Sequence, residues 1–245
     1  MQKADKGVFT RDWPQYRDNL KAYYDRRRLS DPFQDGDGGC DPEKIRSLIR
    51  SHHVAGDWRF EIIEHLRRAM ADRKVLELGC GYGYWTYHLA DVAERVLATD
   101  ISEPGLANAR LVVDASNVEF NLQDASDVSD LTGSFDAVVS VNMINHFPRE
   151  VALATLQRIN ARLGAGGRVF LAGEHYYGWR RMMYRKPGAG DDFVSARADS
   201  DAGAVEIVDD PYEPDDIRRL IGARASDVFI GDCLGYWWVR YTVCE

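Results

Sequence analysis

Val75-Leu76-Glu77-Leu78-Gly79-Cys80-Gly81-Tyr82-Gly83-Tyr84-Trp85 carries a short apolar strand straight into three glycines at alternate positions. Missing side chains let the backbone turn sharply there and let a ligand lie directly against it. That implies a nucleotide-type ligand. A dinucleotide fingerprint wants glycine, any residue, glycine, two residues, glycine, and Tyr84 occupies the third place. This speaks against a pyrophosphate resting on the following helix and leaves NAD as the runner-up. Asp100 ends the next β-rich run 21 residues after Gly79, the offset at which a carboxylate can accept from both ribose hydroxyls. The competing reading is a solvent-facing turn aspartate. Glu77 stands inside the apolar strand, where an uncompensated carboxylate is costly; a structural partner such as loop N–H groups is its alternative.

Outward from the loop, β-rich runs alternate with helical patterns between about residues 73 and 172. The runs are Val75 to Leu78, Arg95 to Thr99, Val118 to Phe120, Phe135 to Val141 and Arg168 to Ala172. Consecutive apolar positions such as Ala137-Val138-Val139 mark strands covered on both faces, so five parallel strands with crossover helices are expected. Ser102 and Pro104 open one helix, and another runs from Pro148 to Leu163 before Gly164. A third begins near Pro214. The runs 227–230 and 236–243 are separated by a segment too short for a crossover, so they pair antiparallel. Before the sheet, Trp13 to Arg28 and Pro42 to about Ala71 read as helices, the second with Ile62, Ile63, Leu66, Ala69 and Met70 on one face. Residues 1–72 are thus a helical cap and residues 73–245 the main domain, with an insertion at 176–207 over the sheet's carboxyl edge. The stretch Pro187 to Ala204 within it reads as irregular.

The chain has 245 residues, 45% hydrophobic and 29% charged, with 31 Lys+Arg against 39 Asp+Glu and a net charge of −8. It lacks the basic footprint of a phosphate-backbone binder, so no nucleic-acid partner is expected. No apolar run of membrane-spanning length and no apolar h-region near Met1 appears, so a soluble, cytoplasmic protein is expected. Cys40, Cys80, Cys233 and Cys244 are scattered without a C-x-x-C pair and read as reduced packing residues. Asp35-Gly36-Asp37-Gly38-Gly39 invites a calcium reading but lacks the third acidic position and the closing glutamate. It reads as a mobile loop, and no metal is expected.

The Glu77-x-Gly79-x-Gly81-x-Gly83 loop, the Asp100 strand end, Asp124-Ala125, the Phe135 to Val139 run and Leu163-Gly164-x-Gly166-Gly167, followed by the hairpin, together resemble the class I S-adenosylmethionine-dependent methyltransferases of the small-molecule type. The resemblance runs from residue 73 to residue 243. It implies an α/β fold with a Rossmann-like seven-stranded sheet in the order 3-2-1-4-5-7-6, helices on both faces and a terminal antiparallel hairpin. It implies S-adenosylmethionine as cofactor, with Gly79, Cys80 and Gly81 under its methionine and ribose portions and Asp100 on the ribose hydroxyls. Ile101 would flank the adenine, Asp124 would accept from the adenine amine, and Ala125 N–H would meet the ring; a loop-capping role is the alternative for Asp124. Backbone from Ser140 to Asn142 would receive the ammonium group. Glu77 and Trp85 complete the implied cofactor set.

A sulfonium methyl is already a potent electrophile, so positioning can suffice, and a base is needed only for an acceptor that carries a proton. Its place is the carboxyl end of the fourth strand, Asn142-Met143-Ile144-Asn145-His146-Phe147. His146 suits a general base or substrate contact; its other reading is a cap or loop brace before Pro148. His175, with Tyr176, Tyr177 and Trp179, is a second substrate-facing candidate. Trp13, Tyr16, Tyr23 and Tyr24 form an aromatic set in the first helix, which either packs as a stripe or offers faces to the sulfonium. Arg26-Arg27-Arg28 reads as a solvated helix end. The absence of basic surface, the cap and the insertion favour a small-molecule acceptor methylated on O, N or S. Asn142-Met143-Ile144-Asn145, where many amino-methylating enzymes carry Asn-Pro-Pro-Tyr, points the same way. A protein or RNA methyltransferase, or a non-catalytic cofactor-binding scaffold, is the alternative. Oligomeric state is not legible.

Overall fold

The computed structural model describes residues 13–26, 41–129, 131–174, 194–199, 203–208, 212, 214–233 and 236–244. Three helices come first: α1 (Trp13–Arg26), α2 (Pro42–His52) and α3 (Trp58–Met70). β1 (Lys74–Leu78), α4 (Tyr84–Ala90), β2 (Arg95–Asp100), α5 (Glu103–Val112), β3 (Val118–Leu122) and β4 (Ala137–Val141) follow. A 3₁₀ turn (Ile144–His146) leads to α6 (Arg149–Leu163) and β5 (Arg168–Glu174). Then come β6 (Val194–Asp199), β7 (Gly203–Val208), α7 (Pro214–Ile221), β8 (Ala225–Cys233) and β9 (Tyr236–Val243).

Local chemistry sets these boundaries. Asp41 caps α2 by accepting from Glu43 N and Lys44 N, with Pro42 in the first turn. Asp57 accepts from Arg59 N, and Ser102 from Gly105 N. Each such cap is worth about 1 kcal/mol. Gly164, at φ +68°, stops α6.

The seven strands lie in the order β3-β2-β1-β4-β5-β9-β8. β1 to β5 pair in parallel, and β9 runs antiparallel to both β5 and β8. This is the strand order that the resemblance implies, a Rossmann-like sheet ending in an antiparallel hairpin. Alternation splits the buried side chains between two layers. Leu76, Val138 and Leu171 face α6 and α7, whereas Val75, Val139 and Phe170 face α3 and α4. All five apolar residues expected on the face of α3 are buried.

The hairpin begins at Ala225, earlier than the 227–230 run, with a bulge between Ser226 and Phe229 and Asp227 at φ +50°. The 187–204 stretch, expected irregular, contains β6, which pairs antiparallel with β7 as a separate two-stranded sheet. Val194-Ser195-Ala196-Arg197-Ala198-Asp199 alternates apolar and polar residues, and that period was masked by low apolar bulk. β7 lies beside α1 and the 144–146 turn. The Asp35–Gly39 loop, Arg27, Arg28 and Cys40 lie outside the described residues. Among the described residues no helix is long and apolar enough to cross a membrane.

Candidate active site

The carboxyl ends of β1 to β4 open onto a cavity of about 440 Å³, which α1 roofs. Its floor is the glycine loop. Gly79 N and Cys80 N both donate to Thr99 O at 2.9 Å, stitching the end of β1 to that of β2. Gly79, Gly81 and Gly83 all take positive φ, +75°, +55° and +83°. A Cβ on Gly79 would lie 2.8 Å from the Met143 side chain, so this glycine is required by space as well as by conformation.

Asp100 is held by the loop. Its Oδ2 accepts from Gly81 N at 2.8 Å and its Oδ1 from Ser102 N at 2.9 Å. Burial pushes its carboxyl above the usual range, opposed by those N–H bonds. Glu77, 2% exposed, lies behind the loop, where its Oε2 accepts from Thr86 Oγ1 of α4 at 2.6 Å. Desolvation pushes Glu77 up to about 8, so it is largely a neutral acid at pH 7. Its buried-carboxylate problem is thus solved by protonation and a hydroxyl rather than by loop N–H groups. The Cys80 thiol, also buried, is pushed up as well.

Beyond β3, Asp124 Oδ1 accepts from Ser126 N (2.8 Å) and Ser126 Oγ (2.7 Å), while Oδ2 lies 3.5 Å from the Arg17 guanidinium. Beyond β4, Asn142 sits at φ +56° and donates its N–H to Ala172 O. Its Oδ1 and the Ser140 Oγ are buried without a hydrogen-bond partner. His146 Nε2 lies 2.9 Å from the Tyr24 hydroxyl, and the Tyr16 hydroxyl donates to His146 O at 3.2 Å. Trp13 meets Phe147 edge-on, ring centroids 5.2 Å apart.

Ten of the eleven anticipated site residues line this one cavity: Gly79, Cys80, Gly81, Trp85, Asp100, Ile101, Asp124, Ala125, Asn142 and His146. Glu77 is the exception. Trp13 and Tyr24 line it too, whereas Tyr16 is buried in the packing of α1. Arg17, Leu20 and Tyr236 were not anticipated. A signal for two of them exists: Trp13, Arg17, Leu20 and Tyr24 recur at helical spacing and mark one face of α1. Tyr236 pairs with Glu174 at the carboxyl end of β5, a position that only the antiparallel register reveals. His175, Tyr176, Tyr177 and Trp179 lie outside the described residues. No group of three or more metal-binding side chains occurs among the described residues.

Residues 75–167 match the family described as a methyltransferase domain. The matched stretch holds the glycine loop, Asp100, Asp124 and His146, set on the seven-stranded order. This stretch is a methyltransferase domain, similar to those of the class I S-adenosylmethionine-dependent methyltransferases. A ubiquinone biosynthesis O-methyltransferase of Xanthomonas oryzae pv. oryzae (strain PXO99A) is 30% identical to this chain over 148 residues, 59% of this chain and 56% of that protein. A Salinispora arenicola (strain CNS-205) protein named "Probable non-canonical nonribosomal peptide synthetase (NRPS) CymA" is 32% identical over 133 residues, 52% of this chain and 2% of that protein. The chain therefore spans about half the length of the first relative and a small part of the second. A solved structure described as a DhpI-SAM-HEP complex shares the fold, with TM-score 0.62 and 21% identity, covering 92% of this chain and 97% of that one.

The family's cofactor is S-adenosylmethionine. The residues present fit such a ligand. Bare backbone at Gly79 and Gly81 faces the cavity, two orphaned oxygens lie at the end of β4, and two carboxylates stand at the ends of β2 and β3. Tyr84, where a dinucleotide site needs glycine, is anchored by a 2.9 Å hydrogen bond between its hydroxyl and His52 Nδ1.

Proposed function

We propose that the protein transfers a methyl group from S-adenosylmethionine to an O, N or S atom of a small-molecule acceptor. The observation that carries this reading is the roofed cavity with the glycine loop, Asp100 and Asp124 on one side and His146 with aromatic walls on the other. Its volume of about 440 Å³ falls in the range of small-ligand sites. Likeness to an O-methyltransferase makes a hydroxyl the first acceptor atom to test.

In this reading Gly79, Cys80 and Gly81 support the methionine and ribose portions. Asp100 takes the ribose hydroxyls, and Ile101, Asp124 and Ala125 surround the adenine. Asn142 and the backbone from Ser140 onward receive the ammonium group. When bound, the cofactor supplies a methyl carbon on a positively charged sulfur. Trp13, Tyr24 and Phe147 exclude water above the site, which strengthens every electrostatic interaction inside it. His146 holds the proton that a hydroxyl, thiol or ammonium acceptor must give up. Glu77, behind the loop, fixes its shape through Thr86.

Thermal unfolding with S-adenosylmethionine, S-adenosylhomocysteine or NAD tests the reading. Ligand at about a hundred times its dissociation constant adds roughly 2.7 kcal/mol, a rise of about 5–10 °C at this size. A rise with the two sulfur ligands alone supports it. A rise only with NAD, or with none, overturns it.

A further inference from the structure

Tyr24 and His146 are 122 residues apart in sequence, yet their side chains meet at the cavity wall, Oη to Nε2 at 2.9 Å. The contact does not rest on one side chain swinging freely. α1 is held to the same turn by the Tyr16 hydroxyl bonding His146 O at 3.2 Å and by the Trp13–Phe147 edge contact. Tyr24 and His146 both line the cavity.

A neutral imidazole has one donor and one acceptor nitrogen, and a phenol can play either part. The phenol O–H is the more acidic donor and the ring nitrogen the more basic acceptor, so the stronger pairing sends the Tyr24 proton to Nε2. Nε2 then has no lone pair left for an acceptor molecule. Tyr24 lines the same cavity, and its oxygen keeps lone pairs after its proton is given to Nε2.

We infer that Tyr24 is the residue that takes the acceptor's proton, with His146 behind it as the proton store. This rests on the methyl-transfer reading above. As the acceptor atom's electron pair forms its bond to the methyl carbon, the carbon–sulfur bond breaks and its pair stays on sulfur. The acceptor's proton passes to Tyr24 Oη while the Tyr24 proton passes to His146 Nε2. One positive charge leaves sulfur and one appears on the imidazolium, which afterwards returns its proton to water. Tyr24 ends the turnover unchanged.

The experiment is nitrogen-15 NMR of the His146 ring in the full chain saturated with S-adenosylhomocysteine, above neutral pH, with the signals assigned by their loss in His146→Gln. The relay requires Nδ1 protonated and Nε2 unprotonated in the wild type. It also requires the Nε2 signal to move in Tyr24→Phe, with S-adenosylhomocysteine affinity changed by less than about twofold. On acceptors found in a panel of small phenols, amines and thiols, Tyr24→Phe lowers kcat about 10²–10⁴-fold with little change in KM for S-adenosylmethionine. A proton on Nε2 in the wild type overturns the relay, as does a Tyr24→Phe enzyme of full kcat. The wild-type spectrum decides even where the variant does not fold. If S-adenosylhomocysteine does not bind at all, it is the methyl-transfer reading that falls, and the relay with it; binding with Nε2 protonated removes the relay alone.

Discussion

The floor and the roof of the cavity are built by different physics. The floor is backbone: β1 and β4 are buried on both faces, and Gly79 and Cys80 are tied to Thr99 by main-chain bonds. The roof is side chain: α1 contributes two buried residues, Tyr16 and Leu20, and reaches the rest of the molecule through hydroxyls, rings and the 3.5 Å Arg17–Asp124 pair. A backbone-shaped floor accepts many side chains elsewhere without changing form, so it suits a ligand shared by a whole family. A roof made of side chains changes its chemistry with each substitution, so it suits the part of the reaction peculiar to one acceptor. Changes to the floor should therefore damage cofactor binding, and changes to the roof turnover.

The largest effect is expected at His146, the wall residue against which the roof closes through Tyr24 and Tyr16. His146→Ala should lower kcat about 10²–10⁴-fold while S-adenosylhomocysteine affinity stays within a small factor, read by steady-state kinetics and calorimetry. A parallel loss of affinity would blur the division. At the floor, Asp100→Ala should weaken cofactor binding about 10–100-fold, since charge-assisted hydrogen bonds of roughly 1.5–3 kcal/mol are lost. Unchanged affinity would remove Asp100 from the ribose.

Glu77 sharpens the comparison through pH. Its carboxyl sits near 8 in the fold against an ordinary 4.5, so the folded state holds the proton more tightly than the unfolded chain. The resulting stability is complete below pH 4.5 and is lost as pH rises toward about 8. Glu77→Gln should flatten that slope and melt above the wild type at alkaline pH, each kcal/mol being worth about 2–4 °C at this size. A wild-type midpoint that stays level across the window would contradict a buried neutral acid. The smallest effect belongs to Tyr16→Phe. Losing one neutral hydrogen bond costs about 1 kcal/mol and should lower kcat slightly by loosening α1, with cofactor affinity intact.

The floor was legible in the sequence because its determinants are local. The Gly79-Cys80-Gly81 loop, the Asp100 offset and the apolar runs report on backbone geometry within a few residues of themselves. The roof was only half legible. Trp13 and Tyr24 stood out as aromatic residues, but Arg17 and Leu20 acquire meaning only once α1 is laid across the ends of β3 and β4. The meeting of Tyr24 with His146 depends on a contact across 122 residues, and Tyr236 on an antiparallel register; no local pattern encodes either. β6 escaped notice because its small residues carry little hydrophobic signal. Glu77 was legible as an anomaly, and only its burial and Thr86 explain how it is tolerated.

The most direct test is a structure of the protein with S-adenosylhomocysteine bound. The ribose hydroxyls should lie on the Asp100 carboxylate, the adenine between Ile101 and Asp124, and the sulfur turned toward Tyr24 and His146. A ligand seated outside this cavity, or one whose ribose lies away from Asp100, would contradict it.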